Sequence, residues 1–160
     1  MSTGLTPDTV IDLLQLGNSQ AEIARDFGVS RQYVNKLAKQ GGYESPFKTM
    51  NDNLPWEIKG EFANNQIWKN IRRHGIWVTT GKLGESDREH LRGFYRKLDA
   101  FPVVADHDPD YPPLPGIANQ PGFAFVPRTE ADEDFIVKVR PGTSITKIGD
   151  RIWRMPAIRP

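Results

Sequence analysis

Cysteine is missing from all 160 residues, which excludes disulfides and thiolate metal sites and fits a reducing compartment. Long apolar runs are missing as well, so the chain reads as cytoplasmic, with no membrane span and no signal peptide. Histidine is scarce: His74, His90 and His107 are scattered, and no Ser/His/Asp arrangement or phosphate-binding glycine loop accompanies them. No catalytic residue, cofactor or metal site is therefore assigned. His107 sits among Asp106, Asp108 and Asp110, but without metal-ligand spacing, and reads as a solvated acidic turn.

What is present is an uneven charge distribution behind a net charge of +1. Residues 1–45 carry four Lys/Arg and five Asp/Glu, and residues 46–98 carry ten and six. Residues 99–134 carry one and eight, and residues 135–160 six and one. Blocks of alternating sign suit a protein with one basic and one acidic face. The acidic block reads either as a face turned away from a polyanion or as solvated loops.

The most informative stretch is 19–40. Ser19 and Glu22 form a capping box, Gly28 ends the first helix, and Ser30 caps a second that stops at Gly41-Gly42. Ile23, Ala24, Phe27, Val29, Val34 and Leu37 are spaced to meet in the angle between the two helices. A small residue at the crossing, a glycine turn and a plugging valine together read as a helix-turn-helix. Thr6-Pro7 opens a supporting helix with Val10, Leu13 and Leu14 as its apolar stripe. With Val34 and Leu37 inward, Arg31, Gln32, Tyr33, Asn35 and Lys36 are left for DNA, because Arg suits guanine and Gln or Asn suits adenine in the major groove.

Residues 46–54 read as a breaker-rich connector tethered by Phe47 and Met50. A long helix is expected from Asn53-Leu-Pro-Trp56 to Arg73, terminated by Gly75, and a second from the Ser86/Glu89 capping box to Ala100. Leu91, Phe94, Tyr95 and Leu98 make the core stripe of the second helix, while Arg88, Arg92 and Arg96 lie one turn apart on another face. That basic ridge reads as a phosphate-tracking surface or as a solvated face paired to Asp87, Glu89 and Asp99. Phe123–Val126 and Phe135–Val139 read as strands, and Ile145, Ile148, Ile152 and Trp153 as one or two closing strands. The fold class is α+β: a three-helix unit over 1–45, the connector 46–54, and a mixed helix and small antiparallel sheet module over 55–160.

Beyond the helix-turn-helix, Asn53-Leu-Pro-Trp56, Leu91-Arg-Gly-Phe-Tyr-Arg-Lys-Leu98, Pro112-Pro-Leu-Pro-Gly116, Gly122-Phe-Ala-Phe-Val-Pro-Arg128 and Asp134-Phe-Ile-Val-Lys-Val139 carry a family likeness. The chain resembles the immunity repressors of Cluster A mycobacteriophages. That resemblance implies a repressor maintaining lysogeny and superinfection immunity by silencing the early lytic promoter. It also implies binding as a monomer, through two modules, to double-stranded DNA at asymmetric operator and stoperator sites in the host cell. No Ala-Gly dipeptide is present for the self-cleavage of lambda-type repressors.

The residues expected to contact DNA are Gln20, Ser30, Arg31, Gln32, Tyr33, Asn35 and Lys36 in the first module. In the second they are Lys69, Arg72, Arg73, Lys82, Arg88, Arg92 and Arg96. Two rival readings are a dimeric ligand-sensing regulator and a recombination or replication accessory DNA-binding protein.

Overall fold

The computed structural model describes residues 4–43, 46–143 and 145–160. The chain divides into two compact units, Met1–Lys48 and Thr49–Pro160.

The first unit is three helices whose starts are written in single side chains. α1 spans Pro7–Gln15, α2 Gln20–Phe27 and α3 Arg31–Gln40. The hydroxyls of Thr6, Ser19 and Ser30 accept from the amides of Thr9, Glu22 and Tyr33 at 3.1, 3.0 and 3.1 Å. Each satisfies a donor that the helix itself leaves orphaned. Gly28 closes α2 at φ +66°, a left-handed geometry that glycine adopts without steric cost. The helices bury Leu5, Val10, Ile23, Ala24, Val34, Leu37 and Ala38 in one cluster. Phe27, expected in that cluster, is 37% exposed. The turn at Gly28 brings the Val29 amide back to the Ala24 carbonyl at 3.0 Å, and Val29 packs on the cluster instead.

The second unit departs further from the sequence reading. Residues expected as a connector form α4, Pro46–Asp52. Met50 on it is fully buried in the second unit's core, as expected of a tether, whereas the Phe47 side chain lies outside the described residues, as do Glu44 and Ser45. The long helix anticipated from residue 55 starts instead at Gln66 and runs to Thr80 as α5. Only a single 3-10 turn, Gly60–Phe62, precedes it. Its cap is Asn65, whose Oδ1 accepts from the amides of Ile67 and Trp68 at 2.8 and 3.2 Å. The same side chain donates through Nδ2 to the carbonyls of Gln120 and Pro121 at 2.8 and 3.2 Å. Gly75 lies inside α5 rather than ending it, and its place there is a close approach, since a Cβ would come 2.5 Å from the Met50 sulfur. Ile76-Trp77-Val78 therefore continue the helix, and Gly81, at φ +68°, ends it.

α6 spans Glu85–Ala100 with Gly84 as its cap, so the predicted Ser86/Glu89 box is not made and Ser86 lies within the first turn. Its stripe of Leu91, Phe94, Tyr95 and Leu98 is buried as expected. β1, Val103–His107, pairs antiparallel with β2, Phe123–Pro127, from Val103 opposite Pro127 to His107 opposite Phe123. The segment 135–139 meets β1 through one bridge, Val137 to Ala105, and bridges Arg154 through Phe135, and it is not a strand. The carboxylate of Asp132 takes the Val139 amide at 2.7 Å, ending any ladder there. Residues expected as closing strands form the short helix α7, Lys147–Ile152, because Thr146 Oγ1 caps it at the Gly149 amide, 2.9 Å away. Trp153, fully buried, donates to the Asn53 carbonyl at 2.7 Å. Seven helices and a two-stranded antiparallel sheet among the described residues make the chain α+β.

Candidate nucleic-acid interface

α3 has two faces. Val34 and Leu37 are 0% and 7% exposed, whereas Arg31, Gln32, Tyr33 and Lys36 stand in solvent around its first two turns. Ser30 is exposed and spends its hydroxyl on the cap. Asn35 is half-buried, and Gln20, at the first position of α2, reaches it: Gln20 Nε2 donates to Asn35 Oδ1 at 3.4 Å. That contact joins two residues assigned to DNA separately in sequence and leaves the Asn35 amide nitrogen directed elsewhere. Cations and amides on a helix whose opposite side is locked into a core form a surface that can donate to phosphates and base edges.

In the second unit the assigned cations are dispersed over α5, the turn after it and α6. Lys69 and Arg72 are half-buried on α5, and Lys82 is exposed in the turn. Arg73 is 18% exposed and committed within the unit, with Nε on Asp87 and Nη1 on Asn70, each at 2.9 Å. Arg88 and Arg92 both converge on Glu85, at 3.2 and 2.9 Å. The ridge is thus partly neutralised by a carboxylate that the sequence reading did not name, and hydrogen bonding to Arg92 holds the Glu85 carboxyl below its usual range. Arg96, one turn on, is exposed. Of the predicted partners, Asp87 is taken by Arg73, and Asp99 by Arg159 at 2.6 Å.

The acidic block contains structural carboxylates as well as solvated ones. Asp132 is buried and accepts from the amides of Val139 and Thr129 at 2.7 and 2.8 Å and from Lys138 Nζ at 2.9 Å. Burial opposes its charge, but these donors prevail and its carboxyl is held below the usual range. Asp106 is buried too, accepting from the Tyr111 hydroxyl at 2.7 Å and Arg140 at 2.6 Å. His107, read in sequence as part of a solvated turn, is half-buried against Phe62 and Phe123, with its Nδ1 2.6 Å from the Gly122 carbonyl. Phe62 and Phe123 are distant in sequence and only the fold assembles that pocket.

The three histidines remain apart. His74 is fully buried between the Tyr95 hydroxyl at 2.7 Å and the Ile152 carbonyl at 2.6 Å. Burial pushes its pKa from 6.5 down to about 4, so the ring is neutral, with Nε2 donating to Ile152 and Nδ1 accepting from Tyr95. Among the described residues, no group of three or more His, Asp or Glu side chains is placed to hold a metal ion. No helix there is long and apolar enough to cross a membrane.

These features define an α+β protein whose N-terminal three helices display a polar, cation-bearing helix face. No family model matches the chain. It is 30% identical over 156 residues to the repressor-like immunity protein of Mycobacterium phage L5, an alignment spanning 95% of this chain and 85% of that protein. The chain belongs to this family of phage immunity repressors.

Proposed function

We propose that the protein is a sequence-specific, double-stranded-DNA-binding transcriptional repressor that maintains lysogeny and superinfection immunity. The observation that carries this reading is the outer face of α3, where Arg31, Gln32, Tyr33 and Lys36 are exposed opposite a buried Val34–Leu37 seam. In this reading α2 and α3 are a helix-turn-helix, and α3 enters the major groove with Arg31, Gln32 and Asn35 at base edges. Gln20, Ser30, Tyr33 and Lys36 then serve the backbone or the same bases. The second module, 55–160, adds contacts through Lys69, Arg72, Lys82, Arg88, Arg92 and Arg96. Arg73 belongs to the expected set as well, although Asp87 and Asn70 already hold its guanidinium.

A monomer using two different surfaces reads an asymmetric site, the kind expected of an operator or stoperator, and acts on DNA in the bacterial host. No protein partner is required. The test is fluorescence anisotropy on duplexes selected by the protein from phage genomic DNA, beside random duplexes. Alanine at Arg31, Gln32 or Asn35 should cost about 1–3 kcal/mol on the selected site and far less on random DNA. Equal losses on both would demote the residue to a phosphate contact. Alanine at a phosphate-bound cation of the second module should shallow the salt slope by about one. Two chains per duplex on a palindromic site, measured by sedimentation, would replace the monomer with a dimeric repressor.

A further inference from the structure

A cavity of about 410 Å³ lies between α5, α6 and β2, and no reading above uses it. Its size falls in the range of small-molecule sites, roughly 300–1,000 Å³. The floor is apolar: buried Ile67 and Phe94, half-buried Phe125, and Ile117, which is 43% exposed. One wall is helix backbone. Gly93 sits mid-way along α6, and a Cβ there would meet nothing closer than an Arg96 guanidinium nitrogen at 3.7 Å.

Glycine weakens an interior helical position relative to alanine. Neither a positive φ nor the packing within this chain calls for it here, so its effect is to keep the cavity open down to the helix backbone. The mouth is electrically polar. Lys97 lies with its ammonium 6.0 Å from the centre of the Phe125 ring, and among the described residues it makes no ion pair. Glu89 stands two turns earlier on α6 and also lines the cavity.

We infer that this cavity binds a small aromatic anion, with its ring over Phe94 and Phe125 and its acid group at Lys97. The aromatic floor supplies stacking partners, and the exposed Lys97 ammonium supplies a charge partner at the cavity's edge. Glu89, with His90 beside it in the lining, disfavours a second acid group there, which favours a ligand carrying a single negative charge. Such a site would make the second unit responsive to a metabolite of this chemistry, independently of how the protein meets DNA.

The test uses the full chain and two dyes: anionic 8-anilinonaphthalene-1-sulfonate and its uncharged counterpart, N-phenyl-1-naphthylamine. The expected result is one saturable site per chain for the anion, with affinity about tenfold above that of the neutral dye, as one charge-assisted contact supplies. Gly93→Leu fills the cavity and should abolish binding while leaving the circular dichroism unchanged. Lys97→Gln should weaken the anion about tenfold, and Lys97→Arg should restore it. Undiminished dye binding in Gly93→Leu, equal affinity for the two dyes, or several weak sites would each overturn the inference. So would a Gly93→Leu chain that loses DNA affinity yet keeps its dye, because the glycine would then belong to a nucleic-acid contact.

Discussion

Mild acid should weaken the second unit through His74. His74 is fully buried and neutral, stacked 6.0 Å from the Trp153 ring, and its pKa is lowered from 6.5 to about 4 by burial. Between those values the unfolded chain binds a proton at this position and the folded chain does not. Stability attributable to His74 is therefore constant above pH 6.5 and falls as the pH drops toward 4, by about 1.4 kcal/mol per unit. Lowering the pH from 7 to 5 should cost about 2 kcal/mol, a large fraction of a small domain's stability. The depressed carboxyls of Glu85 and Asp132 act lower, losing their contribution only as the pH falls below their ordinary values of 4.5 and 3.8.

The assay is urea unfolding followed by tryptophan fluorescence at pH 7 and pH 5. All four tryptophans, Trp56, Trp68, Trp77 and Trp153, lie in the second unit, so the signal reports that unit alone. His74→Asn should be less stable at pH 7, since it disrupts the paired contacts to Tyr95 and Ile152, but should lose most of the difference between the two pH values. Equal stability of the native chain at pH 7 and pH 5, or an undiminished pH dependence in His74→Asn, would refute the reasoning.

Gly149→Ala should destabilise the second unit by about 1–3 kcal/mol in thermal unfolding, because its Cβ would come 2.8 Å from the Asn53 carbonyl oxygen, a backbone atom already accepting from Trp153. Glu133 is the one non-glycine residue described at positive φ, +44°. Its replacement by glycine should raise the melting temperature by relieving about 1 kcal/mol of strain, and a lowered one would show that its carboxylate beside Arg154 matters more. Ser30→Ala removes the α3 cap and should cost the first unit about 1 kcal/mol, read by circular dichroism of the helical signal. On the selected DNA site, the losses of Gln20→Ala and Asn35→Ala should be strongly non-additive, as expected of hydrogen-bonded partners, and simple additivity would separate their roles.

The first unit was legible in the sequence because its decisions are local. Thr6, Ser19 and Ser30 each act on an amide three residues away, and Gly28 sets its own φ, so composition and spacing over a few residues are enough. The outward set on α3 follows from the same helical period. α6 was legible for its buried stripe but not for its charges, because Glu85 was not included in the expected helix, so its pairing with Arg88 and Arg92 could not be anticipated.

The rest of the second unit was decided at long range. α5 is capped at Asn65, whose side chain the carbonyls of Gln120 and Pro121 hold, and Gly75 serves a close approach to Met50 inside the helix rather than its end. The segment 135–139 has strand-like residues, yet Asp132 claims its last amide. Likewise 147–152 has strand-like isoleucines, yet Thr146 caps it into a helix while its own hydroxyl donates to Asn53 at 2.7 Å. A hydrogen bond within one helical turn is encoded where it forms, whereas a partner 55 or 93 residues away exerts its preference only after the chain has brought it close.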